Sequence, residues 1–336
     1  MRAVVVKELA HHNKIPITRD APDPTPAAGQ VIVDVYSTGL NFFDILQAQG
    51  KHQSKPQIPF VLGTEFAGRI SQNSPIPEGC PFKRGDRVFG AGQGAFADKI
   101  AVPVDALLPL PDTLNYDEGA GLYVTFPTSY EGLVGRANMK PGEWVLVTAA
   151  AGGVGICAVQ LAKVLGGRVI AAAGSEDKME VAKRYGGADY VVNYSKPGWQ
   201  KEVSKITGGK GVDVVYDPVG LIQDSFKCIA WKGRAVVVGF AGGNIEKVPT
   251  NLILLKNISV VGLHWGAYRI HEAAQIAQVW NDVLEIFKSG KVKPVVYTEV
   301  YPFERIADAL SALENRKTWG KVIVRVKEDD TTKSKL

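Results

Sequence analysis

Cysteine is scarce in this chain. Cys80, Cys157 and Cys228 are the only three in 336 residues, they stand far apart, and no C-x-x-C occurs. That spacing excludes a disulfide framework and a cysteine-built zinc site, and it fits a reducing compartment. Long apolar runs are missing as well, and the first 30 residues lack a signal-peptide core, so the expectation is a chain that is neither membrane-spanning nor exported. A basic run is also absent. Lys and Arg number 39 against 34 Asp and Glu and are dispersed, which argues against a nucleic-acid face while still welcoming an anionic ligand. The five histidines, His11, His12, His52, His264 and His271, show no ligand pairing in sequence, so no metal site is expected.

What the chain has in quantity is glycine, 36 residues of it, and one glycine cluster organises the rest. Trp144 to Thr148 is an unbroken apolar and β-branched run, as in a strand buried on both faces of a parallel sheet. Gly152, Gly153 and Gly155 follow, and then Val154, Cys157, Ala158, Leu161 and Leu165 recur at helical spacing. Strand, glycine turn and helix in that order make a cradle for a diphosphate, because glycines let the anion approach the amides and the helix start presents unpaired N–H groups. The spacing is not the usual G-x-G-x-x-G, and a packing turn is the competing reading.

With 336 residues the chain exceeds one compact core, so two domains are expected. Met1 to Lys7, Ile15 to Thr18, Val31 to Ser37, Glu65 to Ile70, Asp86 to Phe89 and Ala95 to Val104 read as strands with Gly and Pro between them, a β-rich barrel or sandwich interrupted by a short helix at Phe42 to Gln49. From Tyr116 onward the pattern changes, with a helical stretch through Thr128 to Val134. Strand signals at Trp144, Arg168 to Ala173, Asp189 to Asn193, Val212 to Tyr216, Ala235 to Gly239 and Ile258 to Gly262 then alternate with amphipathic stretches. The fold class is therefore α/β: a β-rich domain of residues 1–123 plus 266–328, and a doubly wound parallel sheet of six strands in 124–265. In the last third, helices at His271 to Ser289 and Phe303 to Glu314 and strands near Val295 to Val300 and Lys321 to Val326 are expected to rejoin the first domain.

The residues after the second strand of the sheet select the cofactor. NAD usually needs an acid there for the ribose 2′-hydroxyl, whereas a 2′-phosphate needs neutral space and a cation. Here Gly174 and Ser175 come first. Glu176 and Asp177 fall where the next helix begins, a common place for acids, and Lys178 follows. The reading is NADPH, with Lys178 either a phosphate contact or an exposed helix lysine.

These residues carry a resemblance. GLNFFD at Gly39 to Asp44, VLGTEFAG at Val61 to Gly68, GDRV at Gly85 to Val88, AAAGGVG at Ala149 to Gly155, YDPVG at Tyr216 to Gly220 and PTNLILLKNISVVGLHWGAY at Pro249 to Tyr268 run nearly end to end. The chain resembles the zinc-free quinone oxidoreductases of the medium-chain dehydrogenase/reductase superfamily, in the quinone oxidoreductase-like group. The resemblance implies a GroES-like catalytic domain, a Rossmann domain, and a homodimer joined through the strand at Ile258 to Gly262. It implies cofactor contacts at Asn41 and Thr128, at Gly152, Gly153, Val154 and Gly155, at Ser175, Lys178 and Tyr194, and at Gly239, Phe240, Leu263, His264 and Trp265. Asn41 and Thr64 occupy positions where zinc-dependent relatives carry metal ligands, so hydride transfer from NADPH to a quinone without metal help is the implied reaction. An enone or enoyl-CoA reductase, or a non-enzymatic NADPH-binding protein, are the alternatives. Tyrosines that serve some relatives as proton donors are replaced by Leu46 and His52, leaving His52 as the candidate donor beside water or a plain loop histidine.

The segment 329–336 reads as a flexible tail ending Ser334, Lys335, Leu336. A C-terminal SKL is the address read by the peroxisomal import receptor, so a peroxisomal location is expected.

Overall fold

The computed structural model describes residues 1–329, and the Ser334–Lys335–Leu336 signal lies outside the described residues. The chain divides into two compact units, Met1–Val124 with the chain from Val296 onward, and Thr125–Val295. No described helix is long and apolar enough to cross a membrane.

The first unit is built on the strand Gln30–Gly39, whose alternating burial places Val31, Val33 and Val35 inward. It pairs antiparallel with Glu65–Ile70, Lys99–Pro103 and Ile323–Arg325 in a seven-stranded sheet. Phe66, Val88, Ile100 and Val324 join its valines in one core, each burial stabilising by about 1.5–3 kcal/mol before entropy is charged against it. The helix Phe42–Ala48 then tucks Ile45 and Ala48 into the same core. Because Ile323–Arg325 comes from the far end of the sequence, its pairing with Ser37 to Gly39 brings residue 321 beside residue 41.

The second unit holds six parallel strands in the order Tyr190–Asn193, Arg168–Ala173, Trp144–Val147, Val212–Asp217, Ile229–Val237, Ser259–Gly262. The first strand lies inside this sheet and Val145, Leu146 and Val147 are fully buried, as an apolar run without alternation requires. The strand order reverses across Trp144–Val147, which makes its carboxyl end the topological switch point. An α/β chain with a β-rich domain and a six-stranded doubly wound sheet is therefore what the sequence forms.

Three sequence expectations need correction. Residues 266–295, expected to rejoin the β-rich domain, belong to the second unit, where helix Ala273–Lys288 packs on helix Thr125–Glu131 with the Phe126 and Phe287 rings 4.7 Å apart. The apolar stripe of that helix carries no sign of which domain it covers. The strand expected at Val295 to Val300 shrinks to a bridge between Val296 and Lys321 and a two-residue strand Tyr301–Pro302. The helix expected to continue through Val134 widens after Glu131 into a π turn, Gly132–Arg136.

Candidate functional site

In the second unit the glycine turn has the geometry of an anion cradle. Gly152 caps helix Gly153–Val164 with no side-chain hydrogen bond, which leaves the first-turn amides open to a ligand. A Cβ on Gly155 would stand 2.3 Å from the carbonyl oxygen of Ala149, so only glycine fits there. The loop is braced from behind, since the Ser129 hydroxyl lies 2.9 Å from Val154 O and 2.8 Å from Thr125 O. Thr128, next to that brace, is buried in the middle of helix Thr125–Glu131.

The neighbouring strand ends at Gly174 and Ser175. Ser175 Oγ accepts the Lys178 N–H at 3.4 Å and so starts helix Glu176–Arg184, which puts Ser175 and Lys178 on one turn. Tyr194 closes the other side, because a Cβ on Gly174 would meet its ring at 3.4 Å and its hydroxyl at 3.5 Å. Glu176 is exposed, sits in the first turn and pairs with Lys196 at 2.8 Å, the helix-start placement considered for these acids. Further along the same edge, Gly239 and Phe240 follow Ile229–Val237, and Leu263, His264 and Trp265 follow Ser259–Gly262. Leu263 is buried, Phe240 stays partly exposed and is not core, and the Trp265 ring lies 4.8 Å from that of Tyr268. Thus Gly152 to Gly155, Ser175, Tyr194, Gly239, Phe240 and Leu263 to Trp265 all lie at the carboxyl ends of five of the six strands.

Asp217 holds two of these loops. Its fully buried carboxylate accepts the Thr148 hydroxyl and the N–H groups of Val219, Gly220 and Leu221 at 3.3, 2.9 and 2.8 Å. Burial pushes its pKa up while those hydrogen bonds pull it back. Behind Trp265, the Tyr268 hydroxyl donates to Glu131 at 2.9 Å, and burial raises the pKa of both partners.

In the first unit, Asn41 begins the helix at Phe42, but its side chain is engaged elsewhere. Asn41 Nδ2 donates to Glu65 Oε1 at 2.9 Å, and Asn41 Oδ1 accepts from Lys321 Nζ at 2.7 Å. Lys321, 5% exposed, also pairs with Glu65, which is 0% exposed and takes the Val124 N–H at 3.0 Å on its other oxygen. Asp44 adjoins them, accepting the Asn41 N–H at 2.8 Å and the Thr64 hydroxyl at 3.4 Å. Burial, its largest influence, pushes the Asp44 carboxyl up to about 7. Lys321 escapes sequence reading, because it stands 280 residues from Asn41, just ahead of the strand Ile323–Arg325. His52 follows the helix on a loop, accepting the Ser54 N–H on Nδ1 at 3.2 Å with its ring 5.5 Å from Phe43.

Comparison with known proteins fits this arrangement. Residues 27–112 match the family described as alcohol dehydrogenase GroES-like domain, and 153–282 match the one described as zinc-binding dehydrogenase. Quinone oxidoreductase-like protein 2 of Mus musculus is 38% identical over 331 residues, covering 97% of this chain and 92% of the relative. The chain belongs to the medium-chain dehydrogenase/reductase superfamily. Among solved structures, the quinone oxidoreductase of Escherichia coli complexed with NADPH is similar to this member at a TM-score of 0.87 and 29% identity, covering 97% of this chain and 100% of that one. The human synaptic vesicle membrane protein VAT-1 homolog is 30% identical over 345 residues, with 96% and 86% covered.

Proposed function

We propose that this protein is an NADPH-dependent, zinc-independent oxidoreductase that reduces a quinone. The observation that carries the cofactor choice is the end of the second strand, where Gly174, Ser175 and Tyr194 present no acid and Lys178 stands one turn on, while Glu176 is paired with Lys196. In this reading the amides of Gly152 to Gly155 take the pyrophosphate, and Ser175, Lys178 and Tyr194 take the 2′-phosphate. Thr128, Gly239, Phe240 and Leu263 to Trp265 of the second unit serve the nicotinamide end, and the family resemblance adds Asn41 as a cofactor contact and His52 as the proton donor. Bound NADPH supplies the hydride, and hydride plus one proton converts the quinone to its hydroquinone.

Zinc independence is supported by the chemistry around Asn41 and Thr64. An amide and a hydroxyl are poor zinc donors, and the Lys321 ammonium already occupies the oxygens of Asn41 and Glu65. A divalent cation there would face a buried positive charge. A second copy of the chain is proposed to pair along the edge strand Ser259–Gly262, next to the exposed Leu254 and Leu255.

Purified protein is expected to bind NADPH and to consume it with quinones. Lys178→Glu is expected to raise the KM for NADPH by about 10- to 100-fold, the loss of one charge-assisted bond, and to leave that for NADH nearly unchanged. Equal effects on both nucleotides would remove Lys178 from the phosphate site. Turnover only with enones or enoyl-CoAs would move the substrate class, and binding without any turnover would make the protein a non-catalytic NADPH binder.

A further inference from the structure

Outside the residues assigned to the reaction, two adjacent histidines meet the last helix of the first unit. His12 opens the 3-10 turn His12–Lys14, and the rings of His11 and His12 lie 4.1 Å apart, tilted by 34°. Helix Ile306–Glu314 faces them: His11 Nε2 is 2.9 Å from Glu314 Oε2, and His12 Nε2 is 3.0 Å from Ser311 Oγ. His12 is only 2% exposed, and its Nδ1 has no hydrogen-bond partner. One ligand atom from each of His11, His12 and Glu314 falls within 4.8 Å of the other two.

We propose that His11, His12 and Glu314 form a binding site for one divalent transition-metal ion of the zinc, nickel or copper class. The donor set selects that class. Two imidazoles and a carboxylate suit borderline ions, whereas magnesium and calcium require a shell of oxygens. Ligands bound at about 2.0–2.2 Å stand roughly 3.3–3.6 Å from one another, so the His11 and Glu314 atoms, 2.9 Å apart, must spread slightly while a separation near the 4.8 Å limit closes by about 1 Å. The site is built for that adjustment. His12 is fixed in the interior, with a nitrogen that no protein group satisfies, while His11 and Glu314 keep enough exposure to rotate and to admit the ion. Binding replaces the His11–Glu314 hydrogen bond by two metal bonds and leaves a fourth position for water.

An ion held there ties the N-terminal segment to the last helix across some 300 residues of sequence, as the separation of His11 and Glu314 by 303 shows. It binds the folded chain and not the unfolded one, so it raises stability as its concentration exceeds its dissociation constant. This site is unrelated to catalysis, and zinc found in the whole protein would not by itself return a metal to Asn41 and Thr64.

The test is a calorimetric titration of chelator-treated full-length protein with zinc chloride, repeated with cobalt(II) followed by visible absorption. One ion per chain is expected, with a dissociation constant on the order of micromolar and a raised melting temperature. His11→Ala and Glu314→Gln, both at partly exposed side chains, are expected to weaken zinc binding by about 10-fold or more each. Absence of zinc binding below about 100 micromolar, or binding unchanged in both variants, overturns the proposal.

Discussion

Replacing Lys321 by methionine is expected to cost about 3–5 kcal/mol of stability, the loss found when one member of a buried ion pair is removed. Glu65 would then keep the Asn41 amide and the Val124 N–H but face the interior without its counter-charge. Urea unfolding would report the loss, and thermal melting would fall by roughly 10 °C. The paired variant Lys321→Met with Glu65→Gln is expected to recover most of it, because a neutral amide still accepts the Val124 N–H on its oxygen and can donate to the Asn41 oxygen that Lys321 leaves, without an unpaired charge. A single-variant loss under about 1 kcal/mol, or a double variant no better than the single, would show that the pair is not what holds Asn41. If it does hold Asn41, the single variant should also weaken NADPH binding beyond what partial unfolding explains.

The legibility of this chain follows distance along the sequence. Arg168–Ala173 and Glu65–Ile70 form at the residues their periodicity predicts, because a strand buried on one or both faces writes that burial into consecutive positions. The glycine turn is legible for a similar reason, since the close approach of Ala149 O to Gly155 is local. Helix Thr250–Lys256 is not. Its four apolar residues, Leu252 to Leu255, stand in a row and not at helical spacing, so no one-sided stripe announces it, and Asn257 ends it in the left-handed region at φ 51°. Asp44, Glu65 and Asp217 stand in motifs that the sequence displays, but what their carboxylates hold is not legible there. Lys321 reaches Asn41 only because the chain's end pairs with its beginning, and the same closure sets Glu314 against His11. No window of sequence contains both members of either pair.

Burial makes Asp44 a sensor of pH. The carboxyl titrates near its ordinary 3.8 in the unfolded chain and at about 7 in the folded one, because burial penalises its charge. Below 3.8 both states hold the proton and the residue costs nothing. As pH rises the unfolded chain releases its proton first, so stability falls by up to about 1.4 kcal/mol per unit until the folded group also ionises. The full penalty, ~4 kcal/mol, is reached above pH 7. Asp44→Asn keeps an acceptor for the Asn41 N–H and a polar group for Thr64, yet has no proton to lose. The variant and the parent are therefore expected to be about equally stable at pH 4 and to diverge toward pH 8, with the variant the more stable. Comparing the two cancels the other buried acids, Glu131 and Asp217, whose raised pKa values tilt both curves alike. Parallel stability curves from pH 4 to 8 would mean that Asp44 is ionised in the folded protein throughout, and that Lys321 balances it as well as Glu65.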